Sequence, residues 1–148
     1  MNFPLSKDNK PQDYDVNVNA VLTEALLPDL TSGLPLTGGP INLKYDDGKL
    51  NVNGSAKLAN RPVSFKWNQD TNNRKVKLTG DIITDEGLRT AFGADLKEFI
   101  KGPIPISLTY TIDKDKEIFD IKGDLTDTII NIEAADYKKS KGVKGTVS

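Results

Sequence analysis

The sequence predicts a mainly β domain: an antiparallel meander of about eight or more strands with one short helical segment near residues 84–101. Three observations carry that expectation. Apolar and polar residues alternate with period 2 along most of the chain, which puts successive side chains on opposite faces of a strand. Short polar sequences such as "DDGK", "ANRP" and "QDTNN" separate the alternating runs as hairpin turns do. Only one stretch, around Leu88 to Ile100, carries apolar residues at helical spacing.

The elements follow in order. Residues 1–14, rich in Lys, Asp, Asn and Pro, read as a flexible lead-in to a single domain over 15–136. Val16, Val18, Ala20 and Leu22 alternate with Asp15, Asn17 and Asn19 in a first strand. Ile41, Leu43 and Tyr45 form another, and the Asp-Gly of "DDGK" returns the chain into Leu50, Val52, Ala56 and Leu58. Val63, Phe65 and Trp67 come next, then Val76, Leu78 and Ile82 against Lys75, Lys77, Thr79 and Asp81.

Leu88, Phe92, Leu96 and Phe99 then make a helical stripe, expected to pack on the sheet. Thr84 is its expected N-cap, Asp85 and Glu86 occupy the first turn, and Asp95 with Glu98 suggests a second capping box after Gly93. "GPIP" ends the helix, because proline lacks an amide proton and clashes with the preceding turn. Ile104, Ile106, Leu108, Tyr110 and Ile112 then alternate with Ser107, Thr109 and Thr111. Phe119, Ile121 and Leu125, and Ile130, Ile132 and Ala134, supply the last strands. Residues 137–148, "YKKSKGVKGTVS", read as a basic tail.

Composition narrows the function. Twenty basic and 21 acidic residues nearly cancel at net −1, so the positive field that draws a protein to nucleic acid is missing, and no nucleic-acid partner is expected. There is no cysteine and no histidine. Thiolate metal sites, thiol nucleophiles and every histidine-based general base are thereby excluded. The acidic groups of "DKDKE" and "DDGK" lack the glycine turn and distal glutamate of a calcium loop and read as solvated hairpin turns. No catalytic residues, metal or cofactor are expected, and the chain is not read as an enzyme. No apolar run approaches the ~20 residues of a membrane helix, and "MNFPLSKDNK" lacks a signal peptide's apolar core. The chain is therefore cytosolic or cut from a longer exported one.

The chain also resembles itself. "PINLKY" at Pro40 matches "PISLTY" at Pro105, each followed by a charged turn and a strand carrying Gly54 or Gly123 at the corresponding place. "VLTEALL" from Val21 resembles "IITDEGL" from Ile82. Two approximate repeats, about 16–75 and 76–136, follow from this. The apolar strand face is the remaining feature. It is lined by Leu43, Tyr45, Leu50, Val52, Val63, Phe65, Trp67, Val76, Leu78, Ile106, Leu108, Tyr110, Phe119 and Ile121. One short helix is too little to cover it. Either the sheet closes on itself as a structural or protein-interaction domain, or it leaves an apolar trough for a long, greasy ligand.

"LTGDIITDEGLRTAFGADLKEFIKGPIPISLTYTID" followed by "DIKGDLTDTIINI" resembles the AsmA-like proteins of Gram-negative bacteria, the YhdP and TamB type. The matching positions are Thr84 to Leu88, Gly102 to Pro105 and Asp124 to Thr126. The resemblance covers about Val76 to Lys139 well and the first half by strand pattern only. It departs at Tyr137, near which the family's usual Trp is missing, and in carrying no membrane anchor. The resemblance implies a strongly curved, taco-like β-groove, apolar inside, repeated along a chain that is anchored in the inner membrane and crosses the periplasm. It further implies that phospholipid acyl chains and neighbouring repeats of the same parent chain are the partners, and that this chain is a segment of such a protein.

Overall fold

The structure, a computed structural model, describes residues 16–31 and 33–148; the lead-in expected over residues 1–14 lies outside them. In chain order the strands are β1 (Asn17–Leu22), β2 (Ala25–Thr31), β3 (Leu34–Gly38), β4 (Ile41–Asp46), β5 (Lys49–Leu58), β6 (Arg61–Asp70) and β7 (Lys75–Thr84). Helix α1 (Glu86–Ala91) follows. Then come β8 (Ile100–Lys101), β9 (Ile104–Asp113), β10 (Lys116–Asp124), β11 (Ile129–Ile132), β12 (Tyr137–Lys139) and β13 (Thr146–Val147). Ten strands form one antiparallel sheet in the order β1-β4-β5-β6-β7-β9-β10-β13, with the β2–β3 hairpin attached through β3 to the far end of β5. The sheet is not closed. β8, β11 and β12 make a separate three-stranded sheet.

Local chemistry accounts for the meander. Asp46 pairs with Lys49 and Leu58 with Arg61, leaving two-residue turns. Asp47, Gly48, Ala59 and Asn60 all have left-handed φ, between 42° and 75°. That geometry carries the twist a tight hairpin needs. The longer turn between β6 and β7 is held by Asp70, whose carboxylate accepts from the Asn72 and Asn73 amides at 3.0 and 3.1 Å and from Asn73 Nδ2 at 2.7 Å.

The sheet bends toward its apolar face. Leu36 of β3 and Ala56 and Leu58 of β5 are buried together, and Ile82 of β7 packs against them. β6 lies between β5 and β7, which a flat sheet would hold roughly 10 Å apart. Contact across that gap requires curvature.

Three local expectations need correction. Thr84 is not the helix cap: it completes β7, and its hydroxyl donates to the Ile104 carbonyl at 3.1 Å across the ladder to β9. Asp85 caps instead, accepting from the Leu88 amide at 2.9 Å. The helix also stops at Ala91 rather than running toward residue 101, because Gly93 takes φ +85° and the amides of Gly93 and Ala94 turn back to Thr90 and Arg89. Asp95 then lies in irregular chain ahead of a turn at residues 97–99, pairs with Lys97 at 3.2 Å, and starts no second helix. Finally, residues 137–148 are not simply a tail, since Tyr137–Lys139 pair with β11 and Thr146–Val147 with β10. Lys139 is only 6% exposed. Its ammonium donates to the carbonyls of Leu125, Thr126, Thr128 and Ser140, four acceptors that composition alone gives no sign of.

The two halves share a register. Ile41 stands opposite Leu22 and Gly54, and Ile106 opposite Ile82 and Gly123. β1, β4 and β5 are thus matched by β7, β9 and β10. The strand equivalence sets Leu22 against Ile82, one residue away from the motif alignment of Val21 with Ile82.

Candidate functional site

Ladder register assigns every side chain to a face, because residues directly opposite one another point the same way. One row runs Ala20, Leu43, Val52, Trp67, Leu78, Tyr110 and Phe119 across seven strands. The next runs Leu22, Ile41, Gly54, Phe65, Gly80, Leu108 and Ile121. On either side lie Val18, Tyr45, Leu50, Gln69, Val76, Ile112 and Glu117, and Ala56, Val63, Ile82, Ile106 and Gly123. All fourteen lining residues named from the sequence fall in these rows.

They are not core in the ordinary sense. Leu43, Tyr45, Leu50, Val52, Val63, Phe65, Trp67, Val76, Leu78, Ile106, Leu108 and Tyr110 are half-buried, while Phe119 and Ile121 are 63% and 41% exposed. Full burial is confined to one end of the sheet, at Leu36, Ala56 and Leu58 where β3 meets β5 and at Ile41 where β4 begins, and to the residues around α1 and β11, such as Leu88, Ile104 and Ile130. Of the four side chains expected to pack a helix onto the face, only Leu88 is buried. Phe92, Leu96 and Phe99 are 44%, 39% and 44% exposed. α1 follows the last residue of β7 and sits at that end of the sheet, leaving the rows uncovered.

The polar groups on this face lie toward its two margins. Trp67 Nε1 donates to Gln69 Oε1 at 3.3 Å. Tyr110 meets Phe119 edge to face, ring centroids 6.1 Å apart, and burial together with the neighbouring Glu117 carboxylate pushes its phenol pKa up. Arg61, next to Leu58 at the closed end, turns its guanidinium to Asp85, with Nε at 2.6 Å from the carboxylate. That pairing and the Leu88 amide, the larger cause, hold the Asp85 carboxyl below the usual carboxylate range.

The opposite face is built the other way. Asp46, Lys49, Asp70, Lys75, Asp113 and Lys116 lie in one row and alternate in sign from strand to strand. Lys75 and Asp113 approach to 3.6 Å. A one-residue slip of any strand would bring that row onto the apolar face, so it pins the register. Two hollows of about 270 and 250 Å³ lie on this side, the first lined mostly by apolar residues such as Pro62, Ile83 and Pro105 together with Ser64, Asp81 and Ser107, the second by Asn42, Lys44, Asn51 and their neighbours. Ser107 Oγ donates to Asp81 at 2.6 Å within the first hollow.

Ala20, Leu22, Ile82 and Ile112, which the alternation put on the apolar side of their strands but the lining set left out, belong to the face as well. The buried cations Arg89 and Lys139 carry no periodic signal. Arg89, 6% exposed, donates to the carbonyls of Gly102 at 3.0 Å, Ile100 at 3.3 Å and Thr84 at 3.4 Å, fastening α1 to β7 and β8. Among the described residues no helix is long and apolar enough to cross a membrane, and no three metal-ligating side chains cluster. No protein-family model matches the chain, and comparison with curated proteins and with solved structures finds no significant match.

Proposed function

We propose that the uncovered apolar face binds phospholipid acyl chains, and that the chain is one segment of a bridge-like protein that carries phospholipid across the periplasm from the inner toward the outer membrane. The observation that supports this reading is the continuity of the apolar rows. They cross seven strands without a covering element, and at β1 and at the stretch of β10 beyond its pairing with β13 they finish in exposed side chains, Val18, Leu22, Phe119 and Ile121, rather than in a wall. A closed pocket would be bounded there; a conduit made of repeated units would not.

The chemistry suits a chain of methylenes. Apolar surface gains from contact in proportion to area and without regard to direction, about 25 cal/mol per Å². The rows offer hydrogen-bonding groups near Tyr45, Trp67, Gln69, Tyr110 and Glu117, toward one margin. Six inter-strand steps amount to roughly 29 Å along the sheet. One leaflet's acyl chain spans about 15 Å, half of a bilayer's hydrocarbon core. The trough is long enough to hold it. The periplasmic setting, the inner-membrane-anchored parent and the direction of transport rest on the AsmA-like resemblance.

Native mass spectrometry of the purified chain tests the reading. Co-purifying phospholipid, or uptake of phospholipid by delipidated protein from vesicles, is expected. Failure of both would leave a structural or protein-interaction β domain whose half-buried face meets another protein.

A further inference from the structure

The two halves of the sheet differ at one place. In the first half β5 is covered along its whole length by β6, from Leu58 opposite Arg61 to Lys49 opposite Asp70. β10 is the counterpart of β5, with Gly123 standing where Gly54 stands. Gly54 faces Phe65, and Gly123 faces Val147; Ser55 faces Ser64, and Asp124 faces Thr146. β13 therefore occupies the position of Ser64 and Phe65 in β6. Beyond Phe65, β6 continues past Asn53 to Lys49 through Lys66 to Asp70. Beside β10 the corresponding residues are Lys122 back to Ile118, which pair with β9 on one side and, among the described residues, with no strand on the other.

That edge presents exposed apolar side chains on both faces, with Asp120 and Lys122, 3.9 Å apart, beside the one on the polar side. Phe119 and Ile121 lie on the trough face and Ile118, 60% exposed, on the other. A row of free backbone donors and acceptors flanked by exposed apolar side chains is a template for another strand. We infer that the Ile118–Lys122 edge accepts an extended polypeptide strand running antiparallel to β10, in line with β13. The occupant's chemistry follows from the register. Residues opposite Phe119 and Ile121 are apolar and extend the trough, as Val52 and Trp67 do together in the first half. The residue opposite Asp120 is basic and that opposite Lys122 acidic, since opposite charges support a cross-strand pair and like charges oppose it. This inference uses backbone register alone and does not depend on what the trough binds.

The probe is a synthetic peptide of the β6 stretch Lys66–Asp70, which stops where β13 begins, carrying Lys66→Glu, Asn68→Lys and Gln69→Val so that acid meets Lys122, base meets Asp120 and an apolar residue meets Phe119. Amide hydrogen exchange of the full chain, followed residue by residue by NMR, reads the docking. Strand addition protects alternate amides over Ile118–Lys122, because only every second N–H of β10 points outward. Two further peptides, N-methylated at alternate positions, complete the test. The set that removes the inward-facing donors binds on the order of tenfold or more weakly, and the other set within about twofold of the parent. Absence of peptide binding, protection at other strands, or equal binding of the two methylated peptides would each overturn the inference.

Discussion

Placing a carboxylate on the trough separates an open face from a packed core. Leu108 lies between Gly80 and Ile121 in its row and is half-buried, whereas Leu58, at the closed end, is 8% exposed. Fully burying a leucine side chain is worth about 1.5–3 kcal/mol. At half burial, Leu108→Asp forfeits about 1 kcal/mol of contact and adds a modest desolvation cost, because water reaches the carboxylate. The expected loss is about 1–2 kcal/mol, a melting temperature roughly 3–8 °C lower for a chain of this size. Leu58→Asp buries an unpaired charge at the Leu36–Ala56–Leu58 cluster, and at about 4 kcal/mol or more it leaves the domain largely unfolded. Thr109→Asp, on the polar face beside Thr79, is tolerated. Thermal melts and uptake of a fluorescent phospholipid read the series. The folded Leu108→Asp chain is expected to lose uptake that Thr109→Asp keeps. If Leu108→Asp unfolds like Leu58→Asp, the face is covered after all; if it stays folded and takes up lipid as before, the acyl-chain reading fails.

Two glycines of one row behave differently. A Cβ on Gly54 would stand 2.5 Å from the Pro40 carbonyl oxygen and 2.8 Å from Ile41 Cα, whereas one on Gly80 would meet only the Ser64 carbonyl oxygen at 3.6 Å; Gly54→Ala should lower the urea midpoint by the equivalent of about 2 kcal/mol, and Gly80→Ala should stay within about 0.5 kcal/mol of the parent. Lys139→Met strips the shared donor from four carbonyls and is expected to cost about 2–4 kcal/mol, with faster amide exchange confined first to β11 and β12. Because the Asp85 carboxyl titrates below its ordinary value, its contribution is complete above about pH 4 and is lost as the pH falls through the lowered value. Asp85→Asn keeps a capping oxygen but should flatten that acid limb in urea midpoints measured from pH 6 to pH 2, and an unchanged limb would rule the carboxyl out as its source.

Period-2 alternation made most of the sheet legible, since one apolar and one polar face per strand is a direct consequence of the pleat. Leu43, Val52, Trp67, Leu78 and Tyr110 could be assigned to a face before any pairing was known, and the pairing then joined them into a row. The helix was legible in existence but not in extent. Leu96 and Phe99 continue a helical stripe, yet the backbone leaves the helix at Gly93, and the spacing beyond is accidental. Capping was ambiguous for a physical reason: Thr84 and Asp85 are both good caps, and the choice fell to Asp85 because Thr84's hydroxyl is taken up by the partner strand. Lys139 was least legible. A lysine among lysines reads as solvated, and only the carbonyls of the Leu125–Thr128 turn, remote in sequence, make its burial favourable.

What repeats in this chain is the sheet, and what varies is the connection. Between β1 and β4 the chain spends its residues on the β2–β3 hairpin, whose Leu36 builds the buried cluster with Ala56 and Leu58. Between the equivalent β7 and β9 it makes α1 and β8, which bury Leu88 and are fastened by Arg89. Both connections leave from the same end of the sheet, the end away from the turns that join β4 to β5 and β9 to β10. Both re-enter through a Pro-Ile pair, Pro40-Ile41 or Pro105-Ile106, whose isoleucine sits opposite a glycine. With no side chain at Gly54, the backbone of Pro40 and Ile41 comes within a distance that any Cβ would block. The connections therefore close one end of the sheet while the rows beyond them stay uncovered. A unit organised in this way can be lengthened strand by strand without altering the trough's cross-section, which is the property that a conduit for acyl chains requires.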